Sequence, residues 1–324
     1  MEYTTLGNTG MSVSKIGLGC YGFGEDKDWM LGQSAATELI DTAIDEGITY
    51  FDTANRYSFG ESERILGDAI AERDTERLVI GTKVYWPMDD NPNSGGLSRK
   101  TVEQELANSR QRLGIDTIDL YQIHAWDYDT PIEQTLRALR DAMSRGRIRN
   151  IGTCSIKAYQ LAKALFTSSQ QSLPTFDTLQ NHYCLVHRED ERELLPFSQE
   201  QGLGVMPWSP LGRGFLARPF EEMETTDRGS SGTYIQSDKQ QYVRAGGEEI
   251  NARVEELAAE KDVSMAQISL SWLLHKEVVD MPIVGVSSED HLRDAIEAVD
   301  ISLSDSQIEY LEEPYQPINP IPER

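Results

Sequence analysis

Short apolar runs rich in β-branched residues alternate with longer segments of helical periodicity along almost the whole chain. Eight of the short runs have the length and composition of buried strands. The predicted strands are Lys15–Leu18, Ile48–Asp52, Leu78–Lys83, Ile118–His124, Ile148–Cys154, Thr175–Gln180, Val205–Trp208 and Met281–Val284. The predicted helices are Ser34–Glu46, Glu61–Ala71, Ser98–Leu113, Pro131–Arg145, Lys157–Phe166, Glu189–Gln201, Glu248–His275 in at least two pieces, and Glu289–Val299.

This order of elements predicts the fold class. Strands that are each followed by a helix, without a linker-like break, are typical of one α/β domain, residues 1–324, folded as a (β/α)8 TIM barrel. A doubly wound sheet is the alternative. Residues 2–14 predict a β-hairpin that plugs the barrel bottom. Residues 209–247 predict a long loop after strand seven that acts as a lid, and PYQPINPIPER at the C-terminus predicts an extended tail.

Composition bears on where the protein works. Apolar residues make up 39% of the chain, which is enough for a sizeable core. No run approaches the roughly 18–20 apolar residues of a membrane span, and the N-terminus lacks a secretory signal pattern. The three cysteines, Cys20, Cys154 and Cys184, lack CxxC spacing, so neither a disulfide framework nor a zinc site is expected. We therefore expect a cytoplasmic protein with no membrane partner.

The charge is strongly acidic. Fifty-four acidic and thirty basic residues give a formal net charge of −24 and a pI near 4.5. Such a field repels nucleic acids and anionic membranes. The acidic surface is interpreted as halophilic adaptation, since salt screens carboxylate repulsion, or as an ordinary solvated surface. Neither interpretation concerns the chemistry.

Polar side chains stand at the ends of neighbouring predicted strands. Asp52 ends strand two, Lys83 ends strand three and His124 ends strand four, while Tyr57 follows in the loop after strand two. Each alone has an ordinary explanation as a helix cap, a solvated cation, a satisfied histidine or a packing residue. In a barrel, however, the carboxyl ends of the strands meet at one mouth, where active sites are built.

These residue types together suit one kind of chemistry. A phenol with an ordinary pKa near 10 is a poor acid–base catalyst at neutral pH. We expect the Lys83 cation to lower the pKa of Tyr57, Asp52 to hold Lys83 charged, and His124 to orient a carbonyl oxygen. The set predicts protonation of a carbonyl oxygen while a nucleophile reaches the carbon.

A series of motifs over essentially the whole chain resembles, in the same order, the motifs of a known protein family. GLGCYGFG, FDTANRYSFGESERILG, the TK of strand three, IDLYQIH, RNIGTCS, LQNHYCLVHREDERELLPF and GVMPWSPLGRGFL are similar to segments of the aldo-keto reductase superfamily. The resemblance is closest to the branch that contains potassium-channel β-subunits and aryl-alcohol dehydrogenases. It implies that Asp52, Tyr57, Lys83 and His124 form the family's catalytic tetrad.

The implied nucleophile is a hydride, and no side chain supplies one, so a nicotinamide cofactor is expected. GLGCYGFG lacks the spacing of a Rossmann fingerprint. The resemblance instead implies an extended NADP(H) across the barrel mouth. Its implied contacts are Gly19, Cys20, Tyr21 and Asp52 at the nicotinamide end, Cys154, Ser155 and Gln180 on the carboxamide, Trp208 on the ring, and Ser209, Leu211, Gly212 and Arg213 at the pyrophosphate. A Gly-flanked guanidinium such as Arg213 can also grip phosphate bidentately.

The segment VGVSSEDHLRDAIEA departs from the family pattern at the adenine end. Gly285, Ser287 and His291 are expected near the nucleotide, with Ser288 and Arg293 close by. A serine pair at a helix N-terminus favours a phosphate, but Glu289 and Asp290 oppose a dianion, and Ala295 stands where the family commonly has Asn. NADPH is expected, and NADH or dual use stays open.

Aromatic residues after the strand ends predict the substrate pocket. Tyr21, Phe23, Trp86 and Trp126 would form apolar walls around Tyr57, although some of them are equally suited to loop packing. We expect a small aldehyde, ketone or alcohol substrate and a monomeric enzyme.

Other classes of function remain as alternatives. Lys83 could form a Schiff base. A metal-dependent hydrolase is disfavoured because His124, His182, His187, His275 and His291 include no HxH pair. A cofactor-binding redox sensor or adaptor with weak turnover is the main alternative to an enzyme.

Overall fold

The computed structural model describes residues 1–225 and 233–317. An antiparallel hairpin comes first, in which β1 (Tyr3–Thr5) pairs with β2 (Ser12–Ser14). Eight parallel strands follow, and consecutive strands pair along the chain. They are β3 (Gly17–Gly19), β4 (Tyr50–Asp52), β5 (Val79–Val84), β6 (Ile118–Ile123), β7 (Ile148–Cys154), β8 (Thr178–Gln180), β9 (Gly204–Val205) and β10 (Ile283–Val284).

The sheet closes on itself. Strand β10 pairs with β3, and beyond β9 the amide of Ile283 donates to the carbonyl oxygen of Pro207 at 2.8 Å. Trp208 and Ile283 form a parallel bridge at the same seam. The (β/α)8 barrel and its N-terminal hairpin are thereby confirmed.

Helices connect the strands and cover the barrel. They are α1 (Gln33–Asp45), α2 (Glu61–Ile70), α3 (Arg99–Leu113), α4 (Ile132–Ser144), α5 (Ala158–Gln171), α6 (Leu194–Glu200), α7 (Thr233–Arg244), α8 (Gly247–Lys261), α9 (Met265–Leu274), α10 (Glu289–Glu297) and α11 (Asp305–Glu312). Capping residues in the local sequence determine where several of these helices begin or end. Ser98 caps α3 through the amide of Thr101, Gly114 ends that helix in the left-handed conformation, and Ser264 with Gln267 forms a capping box at α9.

The hairpin lies at the amino-terminal ends of the barrel strands, as predicted. Leu6 and Val13 are buried with the barrel residues Tyr50, Leu120 and Met206 in one apolar cluster. The backbones meet closely at Gly7, where an added Cβ would lie 2.2 Å from the amide nitrogen of Gly204. The bottom of the barrel is therefore sealed, and the mouth lies at the other end.

Some sequence predictions differ from the structure. The predicted helix Glu189–Gln201 is a 3-10 turn, Glu189–Arg192, followed by α6. The predicted long loop, residues 209–247, contains α7, and residues 226–232 lie outside the described residues. Helix α7 forms because Tyr242 packs into the core beside Phe215, with ring centroids 5.5 Å apart. Composition alone did not reveal that contact.

Helix α11 was not predicted, and residues 318–324 of the predicted tail lie outside the described residues. Among the residues described, no helix is both long enough and apolar enough to cross a membrane.

Candidate active site

The buried amine of Lys83 is the centre of the site. Its Nζ donates to Asp52 Oδ2 at 2.5 Å, to the carbonyl oxygen of Thr53 at 2.9 Å and to Tyr57 Oη at 3.2 Å. The Lys83 side chain is completely buried, and that of Asp52 is 3% exposed. Strands β4 and β5 are neighbours, so their carboxyl ends bring the carboxylate, the amine and the phenol together.

The second oxygen of Asp52 is also held. Gln180 Nε2 donates to Asp52 Oδ1 at 2.7 Å, and Gln122 Nε2 and Tyr50 Oη lie 3.4 Å from the same oxygen. Sequence reasoning missed Gln122 and Tyr50. Their signal was the two-residue period of a strand, which places Gln122 on the same face as His124 and Tyr50 on the same face as Asp52.

Burial and neighbouring charges shift the pKa of the Lys83 amine in opposite directions, and the same is true of the Tyr57 phenol. Burial disfavours the Lys83 cation, but Asp52, Tyr57 and Cys154 outweigh it and raise the pKa of Lys83. Burial raises the pKa of Tyr57, whereas the Lys83 cation lowers it, and burial prevails. The expected direction of the lysine's influence is therefore found, but the expected net lowering of the phenol pKa is wrong. Lys83 is a cation and Tyr57 a neutral phenol at neutral pH.

His124 lies beside the phenol. Its ring centroid is 5.7 Å from that of Tyr57, and the two planes meet at 77°. Burial and the Lys83 charge hold the pKa of His124 well below its usual range. Nδ1 is buried and has no hydrogen-bond partner among the described residues. The imidazole is therefore neutral and able to donate one hydrogen bond.

The residues expected around the nicotinamide lie at or just after the carboxyl ends of β3, β7 and β8. Gly19 ends β3, and Cys20 and Tyr21 follow in a 3-10 turn. Cys154 Sγ lies 3.4 Å from Ser155 Oγ and 3.9 Å from Gln180 Oε1. Gln180 thus connects this group to Asp52. Burial raises the pKa of Cys154 to about 11, so its thiol is neutral.

Trp208 ends a column of stacked rings. His182 stacks on the indole at 4.4 Å between centroids, and His187 stacks on His182 at 4.3 Å. Tyr242 Oη lies 3.2 Å from His182 Nε2. Burial holds the pKa of His182 well below its usual range. Sequence reasoning treated the two histidines as scattered, because residues 182 and 208 meet only when β8 and β9 pair.

The loop after β9 contains the residues expected at the pyrophosphate. Ser209 and Arg213 have positive φ angles of 50° and 56°, while Leu211 and Gly212 lie between them in a turn. Arg213 Nε lies 2.6 Å from Asp238 Oδ2 of α7. The guanidinium expected to be available for a phosphate therefore already has a carboxylate partner.

The loop before α10 is organised by its own side chains. Ser288 Oγ accepts from the amide of His291 at 3.2 Å, and Ser287 Oγ lies 3.1 Å from His291 Nδ1. Arg293 Nη2 donates to Glu289 at 2.6 Å. Ala295 is buried in the core, so it faces away from this surface. Gly285 directly follows β10.

The aromatic residues of the predicted pocket fall into two groups. Tyr21 and Trp86 are 39% and 46% exposed, and the Tyr21 ring lies 5.1 Å from that of Tyr57. Phe23 is completely buried in the core and Trp126 is nearly so. That Phe23 walls the pocket stays a prediction, and in this structure its ring packs inside the protein.

Within residues 1–225 and 233–317, no cluster of three or more His, Cys, Asp or Glu side chains is placed to hold a metal ion.

The fold defines a (β/α)8-barrel protein with a buried ion pair at its mouth. Residues 15–316 match the sequence profile described as the aldo/keto reductase family. The chain belongs to this family, and it is an oxidoreductase of a family that uses nicotinamide cofactors.

Individual relatives are similar over nearly their whole length. A Schizosaccharomyces pombe protein provisionally named an aryl-alcohol dehydrogenase is 38% identical over 98% of this chain and 96% of its own. The versiconal hemiacetal acetate reductase of Aspergillus parasiticus is 37% identical over 98% of both chains. An aldo-keto reductase of Alternaria alternata is 34% identical over 97% of this chain and 91% of its own.

Proposed function

We propose that this chain interconverts aldehydes or ketones and the corresponding alcohols, with Tyr57 as general acid and base. The observation that carries the proposal is the buried arrangement in which Lys83 Nζ lies 3.2 Å from Tyr57 Oη and 2.5 Å from Asp52 Oδ2. A phenol beside a fixed cation can release its proton and recover it, because the cation stabilises the phenolate.

The chemistry in the reducing direction follows from these positions. The hydride for the carbonyl carbon would come from a nicotinamide bound at the barrel mouth. Tyr57 Oη donates its proton to the carbonyl oxygen, which yields the alcohol and a phenolate next to Lys83. Asp52 keeps Lys83 charged and in place, and the neutral His124 donates a hydrogen bond that orients the carbonyl oxygen. Oxidation of the alcohol reverses these proton movements.

The residues at the mouth fit a nicotinamide nucleotide. Ser155 is exposed at the end of β7 with a positive φ of 53°, next to Gln180. Trp208 offers an aromatic ring, and the turn that contains Arg213 offers backbone amides and a half-buried cation. Asp238 would share Arg213 with a bound pyrophosphate or give it up.

NADPH is the proposed cofactor, and NADH is the alternative. The N-terminus of α10, with Ser287, Ser288 and His291, suits a phosphate through hydrogen-bond donors and the helix dipole. Arg293 is engaged by Glu289, and the two acids of the first turn oppose a dianion. The preference therefore rests on hydroxyl and imidazole donors more than on free positive charge.

Tyr21 and Trp86 support an apolar substrate. The exposed Tyr21 ring beside Tyr57, together with the Trp86 ring exposed after β5, favours an aryl or alkyl carbonyl compound over a strongly hydrated one. The Schiff-base alternative is weakened by the ion pair, since a lysine held as a cation is not a nucleophile.

We also infer the setting of the protein. The barrel strands extend from Gly17 to Val284, which supports one domain for residues 1–324. All three cysteines are free and buried, which fits the reducing cytoplasm. Because the barrel sheet closes within one chain, we propose a monomer.

Nucleotide binding and turnover by the purified protein test the proposal. We expect saturable quenching of tryptophan fluorescence by NADPH, weaker quenching by NADH, and steady NADPH-dependent reduction of 4-nitrobenzaldehyde. Binding without turnover of any aryl or alkyl carbonyl would favour the sensor or adaptor instead. Absence of binding by both nucleotides would contradict both.

A further inference from the structure

The loop that carries Tyr57, residues 53–63, has an unusual backbone. Ser58, Phe59 and Gly60 are consecutive residues with positive φ angles of 44°, 50° and 94°. Side chains other than glycine rarely adopt this conformation, and it persists only where the surroundings enforce it. The position of the Tyr57 phenol therefore depends on what holds this loop.

Hydroxyl groups close the base of the loop. Thr53 Oγ1 and Ser62 Oγ lie 2.9 Å apart, and Ser62 Oγ donates to the carbonyl oxygen of Cys20 at 2.7 Å. Both side chains are completely buried. The two ends of the loop are thereby fixed to each other and to the turn that follows β3.

A buried charged cluster lies beneath the loop, outside the barrel wall. Arg112 of α3 donates from Nε to Glu63 of α2 at 2.6 Å, and its Nη2 lies 3.8 Å from Glu105 Oε2 of α3. The side chains of Glu63, Glu105 and Arg112 are only 0%, 7% and 12% exposed. One guanidinium thus serves two buried carboxylates, an arrangement that apolar residues usually replace without loss of stability.

The cluster contacts the loop and the strand of Lys83 directly. Asn55 Nδ2 donates to Glu105 Oε2 at 2.9 Å, and Thr82 Oγ1 donates to Glu63 Oε1 at 2.6 Å. At the far end of the loop, a Cβ added to Gly60 would lie 2.7 Å from Cδ of Arg112. The cluster therefore hydrogen-bonds to the loop two residues before Tyr57, through Glu105, and packs against it three residues after Tyr57, through Arg112.

We propose that Glu63, Glu105 and Arg112, acting through Asn55, form a positioning device that sets the Tyr57 hydroxyl against Lys83. The inference rests on the proposed function for its catalytic consequence. None of these residues touches the reacting atoms, so they are positioning residues rather than catalytic ones. The buried charges hold a strained loop, which an apolar cluster without directional hydrogen bonds could not do.

Asn55→Ala is the first test, because it removes the tether and leaves the ion pairs intact. We expect the kcat for carbonyl reduction to fall about 10- to 100-fold, as for a displacement of about 1 Å at a reacting group. The Kd for NADPH should stay within about twofold. Amide hydrogen exchange in residues 53–63 should become faster, while exchange in the barrel strands is unchanged.

Matched variants separate positioning from stability. Glu105→Gln keeps an acceptor for Asn55 and should retain most of kcat, whereas Asn55→Asp places a third carboxylate there and should lower kcat more than Asn55→Ala. Arg99→Met removes another arginine of α3, paired with Asp141 and Glu103, and should leave kcat and loop exchange unchanged.

These experiments distinguish failure of the positioning device from failure of the proposed function. If the wild-type protein reduces carbonyl compounds but Asn55→Ala keeps its kcat and its loop protection, the positioning device is overturned. If the wild-type protein is inactive, hydrogen exchange still decides whether the cluster holds the loop. Equal losses of kcat in Asn55→Ala and Arg99→Met would also overturn the inference, because they would indicate a general loss of stability.

Discussion

At the scale of single residues, burial affects the pKa of a side chain as much as neighbouring charges do. The Lys83 cation lowers the pKa of Tyr57, yet burial raises it further. Sequence reasoning found the sign of the charge effect from the residue types. It could not find the burial of each group, which depends on how the loop after β4 folds over the strand ends. The resulting phenol carries its proton at neutral pH, and the adjacent Lys83 cation stabilises the phenolate that forms when the proton leaves.

Burial and a hydrogen bond also act in opposite directions on the pKa of Asp190. This leads to a prediction of how the stability of the protein depends on pH. Burial raises its pKa from 3.8 to about 6, with Asn181 opposing through a hydrogen bond. A folded protein that binds this proton more tightly than the unfolded chain loses stability as the pH rises from about 4 to about 6.

Asp190→Asn should therefore raise the Tm at about pH 7.5, with a difference that shrinks towards about pH 4. The amide oxygen can still accept from Asn181, so the contact is retained. Thermal unfolding of both proteins over this pH range is the measurement, with the exposed Asp68→Asn as control. A Tm difference that does not depend on pH would rule out the buried charge as its cause.

At the scale of elements, local pattern predicted most of the barrel and missed what tertiary contacts create. The strand ends that carry Asp52 and Lys83 were recognisable from β-branched runs followed by a polar residue. Helix α7 was not, because its stability comes from Tyr242 against Phe215 across a long connection. The same limit applies to His182, whose neighbour Trp208 is distant in sequence.

The residues of the candidate site also fall into those that the sequence could predict and those that it could not. Its expected acid–base residues lie together because each ends or follows a strand, and the order of strands in a barrel is known in advance. Its support was not predictable, since Glu105 and Arg112 lie on an outer helix and reach Asn55 only in the folded protein. Arg213 lies in the turn after β9, as the order of elements indicates, but its pairing with Asp238 of α7 was not predictable.

At the scale of the whole molecule, the main feature is the large negative net charge. A formal net charge of −24 disfavours the compact state through self-repulsion. Salt shortens the Debye length from about 10 Å at 0.1 M to about 3 Å at 1 M, so repulsion between separated carboxylates largely disappears. A salt-adapted surface should therefore gain stability from salt.

Thermal unfolding in KCl tests this interpretation. Between about 0.1 M and about 2 M KCl we expect the Tm to rise by about 5 °C or more, equivalent to a few kcal/mol for a chain of this size. Sucrose, which does not screen charge, serves as the control. A Tm that is unchanged or lower in KCl would indicate an ordinary acidic surface.

The central claim is that Tyr57 provides the proton. The most direct measurement is single-turnover reduction of 4-nitrobenzaldehyde by the NADPH-loaded protein, wild type against Tyr57→Phe, with Tyr3→Phe at the barrel bottom as control. We predict a rate about 10²- to 10⁴-fold lower in Tyr57→Phe, with NADPH affinity within about twofold of the wild type and Tyr3→Phe unaffected. A Tyr57→Phe variant that turns over at the wild-type rate would contradict the account.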